Sequence, residues 1–188
     1  MSLLLVRNGR VIDPVQGIDD LIDVLIEDGR IATLGANLKA GSDTPVLDAR
    51  GLIVAPGFID LHTHLREPGY EHKETIETGC LAAAKGGFTA VCCMANTNPV
   101  NDEPAVTRYV MEKADRAGAV KVYPIGALSK GCRGEELAEI GEMVEAGAVA
   151  ISDSPNPVAN PLLMRRALEY CRSFDVVTIV HPQDTVLS

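Results

Sequence analysis

The sequence has no tryptophan, and only three phenylalanines and four tyrosines among 188 residues. Positive charge is also short. Lys and Arg number 17 against 26 Asp and Glu, so the net charge is -9, and no basic run interrupts it. Neither a nucleic-acid backbone nor an anionic membrane is expected as a partner. The start, MSLLLVRNGR, has only four consecutive apolar residues before Arg7. That is too short for a signal-peptide core or a membrane span. Cysteine is sparse and odd in number, five in all, with neither zinc-ribbon nor disulfide-scaffold spacing. Reduced thiols in a cytoplasm are the reading that follows.

Apolar residues make up 46% of the chain and charged residues 23%, which predicts a packed core. Residues 1–57 read as short strands. LLLVRNGRVID carries an Asn8-Gly9 turn signal, and IDVLIEDGRIATLG carries Asp28-Gly29. From residue 58 the pattern changes. Short apolar runs at 58–62, 88–94, 120–126, 148–152 and 176–181 alternate with helix candidates at 73–85, 103–117, 134–146 and 161–174. Asp102 is the predicted cap of the second helix, and Asn160 with Pro161 opens the fourth. Such alternation predicts an α/β fold with a parallel sheet. An open doubly wound sheet and part of a (β/α)8 barrel both fit. No G-x-G-x-x-G opens the first helix, which argues against a dinucleotide fold.

The segment FIDLHTHLREPG, residues 58–69, ends its apolar run in two histidines one residue apart. In a strand, i and i+2 share a face, so His62 and His64 project together. At the C-terminal end of a barrel strand, two imidazoles are a pair of ligands suited to zinc. His181 closes the fifth apolar run in the same way. His72, in YEHKE, reads as a surface residue.

The segments PGFIDLHTHLREPG, KETIETGCLAAAKGGFTAV and MANTNP together resemble type I bacterial dihydroorotase, of the cyclic amidohydrolase superfamily. The resemblance runs over essentially the whole chain. It implies an amidohydrolase-type (β/α)8 TIM barrel, of which about five βα units are present in residues 58–188. Residues 1–57 then correspond to a small flanking β-sandwich segment. The implied reaction interconverts N-carbamoyl-L-aspartate and dihydroorotate in pyrimidine biosynthesis, with one or two zinc ions per subunit. His62 and His64 match the pair holding one zinc, and His181 matches a ligand of the second. His64, Arg66 and Asn96 match the substrate-binding positions. Arg66 suits the role because its planar guanidinium grips a carboxylate with two donors. The general base is an aspartate expected beyond residue 188. A homo-oligomer is expected, with aspartate carbamoyltransferase as a further partner.

Three features depart from the family pattern. The fourth run ends AISDSPNPV. Counting from His181 and from NPV places the metal-bridging aspartate on Ser154, which leaves Asp153 as the acidic candidate one residue away. After His181 the chain reads HPQD, with Gln183 where the family has an acidic residue. Five barrel strands stand where a closed barrel needs eight. Hydantoinase, dihydropyrimidinase and allantoinase share H-x-H but bridge their metals with a carboxylated lysine, and residues 148–158 contain none. The alternative from another class is a non-catalytic dihydroorotase-like assembly partner.

Overall fold

The computed structural model describes residues 2–184 and Leu187. The chain forms two compact units, Met1–Pro56 and Gly57–Ser188.

The first unit is a sheet of five strands: β1 (Leu3–Asp13), β2 (Ile18–Glu27), β3 (Arg30–Gly35), β4 (Val46–Asp48) and β5 (Ile53–Val54). Strand β1 is central. It runs antiparallel to β2 and parallel to β4 and β5, while β2 and β3 form an antiparallel hairpin. Asp28 and Gly29 turn that hairpin with φ of 47° and 77°, as their left-handed tolerance predicts. The other turn signal misleads. Asn8-Gly9 lies inside β1, where the register against β2 shifts between Val6 and Gly9. Glycine is required there for close approach: a Cβ on Gly9 would stand 2.6 Å from Val54 Cγ2. Val6, Val11, Val24 and Ala49 form the buried cluster of this unit. Its described strands make one sheet rather than the two layers of a sandwich.

The second unit contains β6 (Phe58–Thr63), α1 (Ile76–Lys85), β7 (Phe88–Cys93), α2 (Pro104–Ala117) and β8 (Lys121–Gly126). It continues with α3 (Ile140–Glu145), β9 (Ala150–Ile151), α4 (Pro161–Arg172) and β10 (Val177–Thr178). The five strands are parallel and lie side by side in sequence order, β10-β9-β8-β7-β6. A doubly wound sheet reverses its strand order at a switch point. This sheet does not reverse, so the fold is α/β with a partial (β/α) barrel.

Alternation along β7 explains the layering. Val91 and Cys93 pack with Ile76 and Cys80 of α1 and with Val110 and Ala114 of α2. Cys92 and Met94 face the other way and pack with Ile125 and Ala150. A larger cluster gathers Ile140, Met143, Ile151, Leu163, Ala167 and Cys171 beneath α3 and α4. Phe58, Ile59 and Leu61 of β6, an edge of the described sheet, stay exposed.

Helix boundaries follow local chemistry. Thr75 caps α1 through a capping box with Thr78. Asn160 accepts from the Leu162 and Leu163 amides, and Pro161 follows at the first helical position. The predicted helix over 134–146 is much shorter. Gly134 has φ of 70°, Ser129 bridges to Leu137, and only Ile140–Glu145 is helical. The N-cap of α2 is Glu103, not Asp102, and its side chain makes no capping bond. Asp102 instead accepts from the Gly131 amide at 2.7 Å.

Candidate functional site

Strand β6 places the histidines. Its pairing with β7 carries Thr63 opposite Cys93, and the Thr63 hydroxyl donates to the Cys92 carbonyl at 2.8 Å. His62 and His64 flank Thr63 and share the opposite face. Their ring centroids are 5.1 Å apart, with planes inclined at 77°. His64 Nδ1 faces Asn96 Oδ1 at 2.8 Å. When Nδ1 donates to that oxygen, Nε2 keeps its lone pair for a metal. That is the tautomer a metal ligand needs.

Arg66 follows with φ of 63°. Arg66 lines a cavity of about 350 Å³ with Tyr70, Lys73, Asn96 and Asn156. Among the described residues no carboxylate lies within ion-pair distance of Arg66. Glu67 pairs with Lys113 instead, and Glu71 accepts from the Gly69 amide. The cavity therefore presents an unpartnered planar cation beside an amide. The loop bearing Asn96 is docked onto the loop bearing Arg66. The Asn98 amide donates to the Pro68 carbonyl at 3.0 Å. A Cβ on Gly69 would lie 2.1 Å from the Asn98 carbonyl oxygen, so only glycine admits this contact.

Asp153 and His181 border a second cavity, of about 480 Å³, with Asn156, Leu168, Thr178 and Gln183. Asp153 is buried and heavily bonded. Its Oδ1 accepts from the Leu128 and Ser129 amides at 2.8 and 2.9 Å, and its Oδ2 accepts from the Ser129 hydroxyl. Burial, and after it the Asp153 charge, pushes the neighbouring Cys132 thiol up to about 12. Ser154, buried beside Asp153, donates its amide to Ser152 Oγ at 3.1 Å. His181 lies three residues past the short β10, exposed, with Nε2 beside Gln183 Oε1 at 2.9 Å.

The structure thus brings His62, His64 and Asn96 together, places Asn96 and Arg66 on one cavity, and puts Asp153 and His181 on another. Among the described residues no three His, Cys, Asp or Glu side chains converge as a metal-ligand group. The histidine pair supplies two imidazole ligands, and among the described residues no further ligand joins them. His72 is exposed beside Tyr70, as expected of a surface residue. Asn156 was not singled out from the sequence. It borders both cavities and donates from Nδ2 to the Cys132 carbonyl at 3.0 Å. The Asn-Pro pair in SPNPV is its only signal, and that signal reads as a turn.

Residues 51–188 match the family model described as dihydro-orotase-like. The chain is 55% identical over 184 residues to a dihydroorotase of Syntrophotalea carbinolica, covering 98% of this chain and 43% of that protein. It is 58% identical over 185 residues to a dihydroorotase of Solibacter usitatus, with the same coverage of each. It therefore spans less than half the length of these relatives. Among solved structures, an L-hydantoinase (dihydropyrimidinase) from Arthrobacter aurescens superposes with a TM-score of 0.83 at 21% identity, over 99% of this chain and 42% of that one. That likeness supports the barrel fold alone.

Proposed function

This chain belongs to the dihydro-orotase-like family, and on that premise we propose that it carries the His62–His64 ligand pair and the substrate cavity of a dihydroorotase. The reaction is the reversible ring closure of N-carbamoyl-L-aspartate to dihydroorotate, a step of pyrimidine biosynthesis. Residues 1–57 act as the flanking β segment and residues 58–188 as part of the metal-dependent hydrolase barrel. The observation that carries the reading is the coupling at Asn96. Its oxygen lies 2.8 Å from His64 Nδ1, and it lines the same cavity as Arg66, into which its amide nitrogen can donate.

Arg66 and Asn96 bind the carboxylate that substrate and product share. The guanidinium supplies two parallel donors, and Asn96 Nδ2 supplies a third. His62 and His64 hold a zinc ion. A zinc ion held by this pair would supply a water of pKa about 7 and a Lewis acid for the ring carbonyl. Asp153 and His181 border the adjoining cavity; His181 would be the ligand of a second ion there, and Asp153 would join it only by giving up its bonds to Leu128 and Ser129. Five buried free thiols suit a reducing cytoplasm, and the substrate is a small molecule. The active form is a homo-oligomer.

One observation favours a second reading, a non-catalytic assembly partner, for instance of aspartate carbamoyltransferase. The Asp153 carboxylate is already filled by two amides and a hydroxyl. Metal content per chain, with turnover assayed on the same sample, separates the two. Zinc that disappears on His62→Ala, together with turnover, supports the enzyme. Zinc held without turnover makes the histidine pair a half-site that needs the remainder of the barrel, and a protein that holds no metal favours the assembly partner.

A further inference from the structure

Glu67 is a charged side chain in a place that ordinarily excludes one. It is 4% exposed, one residue after Arg66, and points away from the cavity that Arg66 lines. Its Oε1 accepts from Lys113 Nζ at 2.7 Å and from the Tyr109 hydroxyl at 3.0 Å, both on α2. Its Oε2 accepts from the Ile76 amide at 2.9 Å, the first residue of α1. One carboxylate therefore ties the 64–70 loop to two helices. Burial opposes its ionisation, but the bonds from Lys113, Ile76 and Tyr109 prevail and hold its pKa below the ordinary value.

Arg66 needs such an anchor. Its φ of 63° is a region that residues with a Cβ rarely adopt, and such residues persist where their surroundings over-determine them. Two further contacts hold the loop: Tyr70 donates its amide to the Arg66 carbonyl at 2.9 Å, and Pro68 accepts from Asn98. Neither reaches the helical layer, where Leu65, on one side of Arg66, packs with Ile76, Cys80 and Val110. The Glu67 bonds are the directional tie to that layer on the other side, so Arg66 is bracketed from behind by a packed residue and an ion-paired one.

We propose that Glu67, through Lys113, Tyr109 and the start of α1, is a positioning residue that aims Arg66 into the substrate cavity. The role rests on the dihydroorotase reading for its substrate, but the geometry it claims is independent of turnover. A carboxylate ligand would then meet a preset guanidinium rather than a mobile one, and the affinity would depend on a charge pair on the far side of the loop.

The test compares the unsubstituted protein, Glu67→Gln and Lys113→Met by three measurements. These are the melting temperature, dihydroorotate kinetics or equilibrium binding, and the Arg66 Nε–H resonance in the ligand-free protein. Glu67→Gln should broaden or shift the Arg66 resonance. It should raise KM or Kd for dihydroorotate about tenfold, leaving kcat within about twofold. Lys113→Met, at a half-exposed position of α2, should act in the same direction by a few-fold and serves if Glu67→Gln does not fold. A fall in melting temperature with the Arg66 resonance and dihydroorotate affinity unchanged would make Glu67 a structural anchor only and overturn the proposal. If the unsubstituted protein neither binds nor converts dihydroorotate, the functional reading fails, and the Arg66 resonance alone still decides whether Glu67 positions it.

Discussion

At the scale of single residues, the site depends on groups left without a partner. Arg66 has no carboxylate within reach among the described residues, in a chain where acids outnumber bases. Removing its guanidinium should therefore affect ligand binding rather than folding. Arg66→Ala is expected to raise the KM for dihydroorotate by about ten- to a hundredfold, the worth of a charge-assisted hydrogen-bonded contact, and to leave the melting temperature nearly unchanged. Unaltered dihydroorotate binding would refute its role. The five cysteines are the reverse case. All are free and buried, and burial raises each thiol, Cys93 to about 11 and Cys132 to about 12. The thiolate is the reactive form, so a water-soluble thiol reagent at pH 8 should titrate almost none in the native protein and five after denaturation. Rapid labelling of Cys132 in the native state would show that its pocket opens.

At the scale of elements, the best prediction from sequence was the start of α4. Asn160 and Pro161 form a local signal, and the structure realises it as two bonds donated by the Leu162 and Leu163 amides to the Asn160 side-chain oxygen. Asn160→Ala should lower stability by about 1 kcal/mol, the usual value of such a cap, measurable as a shift in denaturant midpoint with an unchanged slope. No shift would mean that packing of Leu163, Ala167 and Cys171 holds the helix without it. Other elements were less legible because their signals were non-local. Asn8-Gly9 has turn chemistry, but the glycine serves the approach of β5, some forty-five residues later in the chain. Asp102 resembles a cap, yet its carboxylate is taken by Gly131 from a distant loop. The apolar pattern over 134–146 resembles a helix, but Gly134 and the Ser129–Leu137 bridge break it. Residue type indicates what a side chain can do, whereas partners far along the chain decide whether it does so.

At the scale of the whole molecule, alternating strands and helices implied a parallel sheet but not the order of its strands. Only the pairing β10-β9-β8-β7-β6 separates a barrel from a doubly wound sheet. The sequence pointed to the candidate site through H-x-H and R-E-P-G, adjacent in the chain, and through N-T-N-P at residues 96–99. Their joining through His64–Asn96 and Pro68–Asn98 is tertiary. The same three-dimensional joining sets how the fold responds to acid. Glu67 has its carboxyl held below the ordinary range. Such a group contributes stability that is fully present above the unfolded value of about 4.3 and is lost as pH falls through the lower folded value. Lys113 and Tyr109 face it, and both have pKa values raised above their usual ones. Lys113 thus stays charged and Tyr109 neutral throughout that acid window, leaving Glu67 as the titrating member of the cluster. Glu67→Gln should therefore melt below the unsubstituted protein at pH 7, with the difference narrowing as pH falls below the unfolded value of about 4.3, where the unfolded carboxyl takes up its proton before the native one does. Thermal melts of both proteins at pH 7, 5 and 3.5 measure that difference. If it stays constant across the three, the stabilisation comes from the shape of the Glu67 side chain and not from its charge, and acid sensitivity of the fold must arise at other carboxylates.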